Sequence, residues 1–224
     1  MKIVSLLPSA TEIVAALGIA DHLVARSHEC DWPSRVEPLP VLTAPKMNPQ
    51  ANAATIDRDV RALLQDGLSV YQLDAEAIQR LAPDFVITQS QCELCAVSLK
   101  EVAQALGDWT SPQAAPELVS LEPMCLADIA KDITRVAQSL GVEAAGAALN
   151  AQLADGFSNL RAQTAALLSQ RVFFMEWTAP LMGAGNWMPE TIAAAGGEVV
   201  LGQEGAHSPV VSWAEVAEAD PQVI

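Results

Sequence analysis

Basic residues are scarce in this chain. Twelve lysines and arginines stand against 27 aspartates and glutamates, giving a net charge of −15 and a pI near 4.4. A phosphate backbone or an anionic bilayer is held by a basic face, so this balance argues against nucleic-acid and membrane-surface partners. Charge of either sign is also sparse, at 17%, while 51% of the residues are hydrophobic, so a disordered chain is excluded and a real core is expected. Long apolar runs are missing: nothing approaches the ~20 residues of a membrane span. Lys2 gives a positive start, but Pro8, Ser9, Thr11 and Glu12 interrupt the stretch that a signal peptide would need. Two settings stay open, the cytoplasm or an export signal outside this sequence. No Gly-rich phosphate loop and no nucleophile–base–orienter set is visible, which argues against an enzyme. Cysteines number only four, and Cys92 and Cys95 are open to being paired, metal-bound or free.

What the sequence does contain is an echo. Glu12-Ile13-Val14-Ala15-Ala16-Leu17-Gly18 resembles Glu190-Thr191-Ile192-Ala193-Ala194-Ala195-Gly196. Glu76-Ala77-Ile78, followed by Pro83 and Val86-Ile87, resembles Glu215-Val216-Ala217, followed by Pro221 and Val223-Ile224. The order is shared and the spacing is not, which describes one α/β lobe used twice rather than a tandem array. Two such lobes make a cleft, a default ligand site.

Local signals divide the chain. Lys2 to Leu7 reads as a buried strand, and the Ser9–Glu12 spacing is that of a capping box opening a helix at Ser9 that ends near Gly18. A strand is expected over His22–Ser27, then a polar loop through Pro33. Residues 33–54 hold five prolines and read as an irregular surface connection. Helices are expected over Ile56–Gln65 and Ala75–Leu81, and strands over Ser69–Gln72 and Phe85–Thr88. This alternation predicts a largely parallel sheet. Leu126, Ile129, Ile133, Val136 and Leu140 keep helical spacing, and residues 143–168 continue as helix after Gly141. If straight, about forty residues would reach ~60 Å. The expected organisation is an α/β fold: a Rossmann-like lobe over 1–124, a helical spine over 125–170 and a second lobe over 171–224. Because the chain stops inside a strand matching Phe85–Ile87, the second lobe is expected to lack its natural C-terminus.

Ligands of open parallel sheets sit beyond the carboxyl ends of strands. Four loops take that place: Ser27–Pro33, Gln89–Cys95, Glu176-Trp177 with Gly183–Met188, and Gly205–Ser208. Cys92 and Cys95 follow a strand, as a redox pair would, and with His28 and Cys30 they make a candidate soft-metal set. Trp32, Trp177 and Trp187 offer flat faces to a large planar ligand, whereas Trp109 and Trp213 read as core. His207 lies in the fourth loop, and Cys125 reads as a small buried apolar residue. Glu76 and Glu215 each open a helix, where the dipole favours a carboxylate.

Ile3-Val4-Ser5-Leu6-Leu7-Pro8-Ser9-Ala10-Thr11-Glu12, Leu81–Ile87 and Val211–Ile224 together resemble the periplasmic binding proteins of ABC importers for cobalamin and iron chelates. Ser27-His28-Glu29-Cys30-Asp31 and Gln91-Cys92-Glu93 with Cys95 resemble the cobalamin-binding branch. The resemblance implies a non-enzymatic, periplasmic solute-binding protein that carries cobalamin or a related corrinoid as transported ligand, needs no cofactor, and docks on an ABC permease through Glu76 and Glu215. It aligns Trp32 with an aromatic residue lining the corrinoid site. Positions aromatic in that branch are here Gln89, Glu176 and Pro209, with Tyr71 and Trp177 beside them. The expected ligand contacts are Glu29, Cys30, Trp32, Gln89, Gln91, Cys92, Glu176, Trp177, Trp187 and His207, with His28, Cys30, Cys92 and Cys95 as metal candidates. The alternatives are a haem, siderophore or metal-ion binder, a thiol redox protein using Cys92 and Cys95, and a cytoplasmic sensor on the same scaffold.

Overall fold

The computed structural model describes residues 1–65, 70–90, 97, 99–107 and 115–224. The chain divides into two units, residues 1–50, 59–122 and 133–147 in one and 51–58, 123–132 and 148–224 in the other. The elements of the first unit are β1 (Ile3–Ser5), α1 (Pro8–Ala16), β2 (Leu23–Arg26), β3 (Thr43–Pro45), β4 (Tyr71–Leu73), α3 (Ala75–Leu81), β5 (Phe85–Gln89), α4 (Leu99–Leu106) and β6 (Glu117–Leu121). Helix α2 (Ala53–Gln65) straddles the division.

Four parallel strands form the sheet of the first unit, in the order β2-β1-β5-β6. Ile3, Val4, Val86 and Ile87 are fully buried, as strands covered on both faces must be. Val4, Leu6, Ala25, Leu42, Ile78, Val86, Val97 and Val102 form its core. Burying each large aliphatic side chain contributes about 1.5–3 kcal/mol.

Helix α1 starts one residue before the expected cap. Leu7 is the extended N-cap and makes no side-chain bond, and Pro8 occupies the first turn. Proline fits there because its fixed φ suits the helix and its missing N–H would be unpaired anyway. Ser9 and Glu12 are exposed, so the capping-box reading fails. The Pro-rich segment is also more than a surface connection. β3 pairs antiparallel with β4, and Leu42 beside it is 3% exposed. Proline is tolerated at the strand end, where Pro45 sits.

The long helical segment is broken where Gly141 turns to φ +69, leaving α5 (Leu126–Ser139) and α6 (Glu143–Thr164). Ala137 and Gly146 meet so closely in the first unit that a Cβ on Gly146 would lie 2.4 Å from that of Ala137. In the second unit, Asn150 Nδ2 donates to the Ala130 carbonyl at 2.9 Å. The two helices therefore lie side by side, and no single straight rod exists.

The second unit adds β7 (Gln170–Val172), β8 (Trp177–Thr178), β9 (Leu181–Met182), α7 (Met188–Ala194), β10 (Gly197–Val199) and α8 (Trp213–Ala219). β7 ends at Val172, and β8 is a separate strand. β7 pairs in parallel with β10 and, through Val172, with Val223. Phe173, Leu181 and Val216 form a smaller core with Val200, Leu201 and Val211.

The echo is structural. Each half has a strand, a helix with proline in its first turn, a left-handed glycine (Gly18 at φ +82, Gly196 at φ +84) and a second parallel strand. Later, α3 and α8 are each seven residues long and are capped by Asp74 and Ser212. They end on left-handed Ala82 (φ 44) and Asp220 (φ 43), just before Pro83 and Pro221.

Candidate functional site

All four sheet strands of the first unit point their carboxyl ends to one edge, so the loops after β2 and β5 leave from that edge. The Ser27–Pro33 loop is fastened from beneath. Arg26 donates from Nη1 to the carbonyls of Ser27 (3.2 Å) and Cys30 (2.8 Å), and from Nη2 to Glu37 (2.8 Å). Cys30 is fully buried, and its Sγ lies 3.0 Å from Thr11 Oγ1, which is itself 2.8 Å from Ser5 Oγ. The thiol thus braces the loop from inside and does not reach the surface. Glu29 N–H donates to Ser27 Oγ at 3.1 Å.

His28 is the most fully positioned polar side chain of this loop. Its backbone N–H donates to Thr43 Oγ1 (3.0 Å), and its Nδ1 lies 2.7 Å from the same oxygen. The Tyr71 ring sits 5.5 Å from the imidazole at 47°. Its Nε2 faces Glu29 Oε1 at 4.0 Å. Thr43 comes from β3 and Tyr71 from β4, so the small ribbon missed in the Pro-rich segment is what holds His28. No signal in the sequence singled Thr43 out. In the same loop Trp32 is 57% exposed, and Gln89, at the end of β5, is 7% exposed. Gln91, Cys92, Cys95 and Trp109 lie outside the described residues.

In the second unit two expected loops join. Gly183 N–H donates to the Pro209 carbonyl (2.9 Å), Asn186 N–H to Ala206 (2.7 Å) and Gly205 N–H to Asn186 (3.1 Å). A Cβ on Gly183 would lie 1.9 Å from the Leu201 carbonyl oxygen, so only glycine permits this approach. Trp187 and exposed His207 belong to this joined surface. Trp187 also lines a cavity of about 450 Å³ with Leu126, Ile129, Phe157, Arg161 and Thr191. Trp177 Nε1 donates to the Ala179 carbonyl (2.9 Å), and Glu176 beside it is exposed.

Two core expectations are corrected. Trp213 is 58% exposed at the first position of α8, with only an edge contact to Phe173 at 6.4 Å. Cys125 is half-buried and bonds to the Asp128 carboxylate, which also takes Lys131 Nζ (2.8 Å) and the Met124 N–H (3.1 Å). These donors, Lys131 foremost, hold Asp128 down at about 2. Nearby, Glu190 caps α5 by accepting the Leu126 N–H at 2.6 Å.

Glu76 and Glu215 occupy equivalent helices but different states. The Glu76 side chain is 89% exposed and only 3.7 Å-paired with Arg80. Glu215 completes a capping box, its Oε2 accepting from the backbone N–H (2.7 Å) and hydroxyl (2.8 Å) of Ser212, which lowers its pKa. Among the described residues no three His, Cys, Asp or Glu side chains converge as a metal site. None of the described helices is long and apolar enough to cross a membrane.

No curated protein matches the chain. Solved structures do. The periplasmic vitamin B12 binding protein BtuF of Vibrio cholerae is 23% identical with a TM-score of 0.67, covering 99% of this chain and 74% of its own. The periplasmic heme-binding protein RhuT of Roseiflexus sp. RS-1 is 23% identical with a TM-score of 0.68, covering 98% and 73%. The periplasmic heme-binding protein HutB of Vibrio cholerae is 18% identical with a TM-score of 0.71, covering 100% and 75%. At these identities the likeness is one of fold, and it agrees with the expected α/β architecture. The periplasmic binding protein model matches residues 3–224, so the chain belongs to that family of solute-binding proteins, which are not enzymes.

Proposed function

We propose that this chain is the substrate-binding component of an ABC importer, working outside the cytoplasmic membrane, and that it carries cobalamin or a related corrinoid. The observation that carries the reading is the Ser27–Pro33 loop, which presents His28, Glu29 and Trp32 on the carboxyl edge of a parallel sheet in a member of the periplasmic binding protein family. Trp32, Trp177 and Trp187 are the aromatic faces for the macrocycle. Glu29, Gln89, Gln91 and Glu176 bond its amide rim. Cys92, Cys95 and His207 are the soft groups for the metal. Residues 125–170 connect the two lobes, and Glu76 and Glu215 are the acidic knobs for the permease.

A second reading, a haem carrier, is favoured by the fold likeness to RhuT and HutB, both described as heme-binding. Spectral titration of the purified chain with cyanocobalamin and with hemin separates the two. Micromolar cyanocobalamin binding is expected. Binding of hemin alone moves the assignment to haem, and binding of neither removes both.

A further inference from the structure

We infer that Thr43 fixes neutral His28 with its proton on Nε2, so that His28 and Glu29 together present a donor and an acceptor that read a primary carboxamide on the ligand. This deepens the corrinoid reading and rests on it for the ligand's identity. The tautomer follows from the contacts of Thr43 with His28 alone.

Thr43 Oγ1 meets two His28 atoms, the backbone nitrogen at 3.0 Å and Nδ1 at 2.7 Å. A backbone N–H can only donate, so it takes a lone pair of the oxygen. The hydroxyl proton then has His28 Nδ1 as its acceptor among the described residues, and Thr43, at 6% exposure, leaves little room for water. With Nδ1 accepting, the imidazole proton sits on Nε2. In that tautomer Nε2 carries the proton and acts as a hydrogen-bond donor.

Nε2 faces Glu29 Oε1 at 4.0 Å. That is too long for a hydrogen bond, and it leaves both groups able to bond a third. A neighbouring carboxylate also favours an N–H over a lone pair on the nitrogen it faces. The Tyr71 ring flanks the imidazole, 5.5 Å away between centroids. A primary amide matches this pair: its carbonyl accepts from Nε2–H and its NH₂ donates to Glu29. A ligand carboxylate in the same place meets a like charge at Glu29. The pair therefore selects an amide-rimmed macrocycle over a carboxylate-rimmed one.

Two arms test this. In the first, histidine-selective ¹⁵N spectra of the apo protein are recorded at about pH 8, where an ordinary imidazole is neutral. His28 is expected as the Nε2–H tautomer with a hydrogen-bonded Nδ1 resonance, which moves to the unbonded position in Thr43→Val and returns in Thr43→Ser. An Nδ1–H tautomer in the parent protein, or an Nδ1 resonance unmoved by Thr43→Val, overturns the assignment. In the second arm, cyanocobalamin and hemin are titrated against variants. His28→Gln places an amide donor where Nε2 stood and keeps cyanocobalamin affinity within about threefold, whereas His28→Ala loses about tenfold, one hydrogen bond's worth. Equal losses in both variants overturn the donor role. Glu29→Gln is expected to strengthen hemin relative to cyanocobalamin by about tenfold, and an unmoved ratio overturns the selectivity. If the parent protein binds neither ligand, the proposed function falls and the ligand half of this inference with it, while the ¹⁵N spectra still decide the tautomer.

Discussion

Arg171 stands to Gln222 as Lys2 stands to Asp84. The backbone N–H of Arg171 donates to Gln222 Oε1 (2.9 Å), and its carbonyl accepts from the backbone N–H groups of Gln222 (2.8 Å) and Val223 (3.2 Å). Lys2 N–H donates to Asp84 Oδ2 (2.7 Å), and its carbonyl accepts from Asp84 (2.9 Å) and Phe85 (3.2 Å). The side chains match as well. The Arg171 guanidinium donates to the carbonyl of Ala219 in α8, and Lys2 Nζ to that of Leu81 in α3 (2.9 Å). One joint, a basic residue tying the first strand to the end of a seven-residue helix, is thus built twice from different residues.

Removing the guanidinium leaves a helix-end carbonyl without its cation. Arg171→Met is expected to cost about 1–2 kcal/mol, because charge-assisted bonds to partly buried carbonyls are worth more than neutral ones. Lys2→Met, at an exposed copy of the joint, should cost less than about 1 kcal/mol. Urea denaturation of both variants checks the order; equal effects would contradict it.

Acid should loosen the start of α5. Asp128 is held at about 2 in the folded chain, below its ordinary 3.8, with Lys131 as the main cause. A depressed carboxylate contributes stability that is complete above its unfolded value and is lost as pH falls through the folded one. The stability difference between parent and Asp128→Asn is therefore expected to shrink from about pH 4 down to about pH 2. Urea midpoints across that range measure it, and a constant difference rules out the Asp128–Lys131 contribution.

Gly183→Ala should separate the two loops that carry Trp187 and His207. A Cβ there would lie 1.9 Å from the Leu201 carbonyl oxygen, a backbone atom that cannot swing aside. Overpacking of this kind costs about 1–3 kcal/mol. Hydrogen exchange should show faster loss at the amides of Gly183, Asn186 and Gly205, with β1–β2 unaffected. Protection unchanged in the variant would mean that the backbone relaxes around the new methyl.

The two acidic knobs should respond differently. Glu215→Ala removes a capping-box carboxylate and is expected to lower stability measurably, whereas Glu76→Ala leaves stability nearly unchanged. Glu215→Gln keeps the cap and loses only the charge. If the pair docks on a permease, Glu76→Ala and Glu215→Gln both reduce uptake in a reconstituted importer while ligand affinity in solution stays at the parent value. Full uptake with both variants excludes the docking role.

Much of this architecture was legible locally. Helix α3 keeps its expected bounds, Ala75–Leu81, because Asp74 caps it and Pro83 stops its continuation. The matched halves could be seen because a cap, a left-handed turn and an apolar strand are each written within a few adjacent residues. Gly141 marked its break for the same reason. What stayed hidden depends on residues far apart. Pro8 displaced Ser9 as the opening of α1 once Thr11 turned inward to Ser5 and Cys30. Trp213 was left at the surface because the small core of its unit is filled by Phe173, Leu181 and Val216. Composition, periodicity and capping thus determined that this is an acidic, twofold-echoed α/β chain. The tertiary structure alone decided that Thr43 and Tyr71 would flank His28, since that depends on where β3 and β4 pair, and strand pairing is a long-range contact that no local pattern encodes.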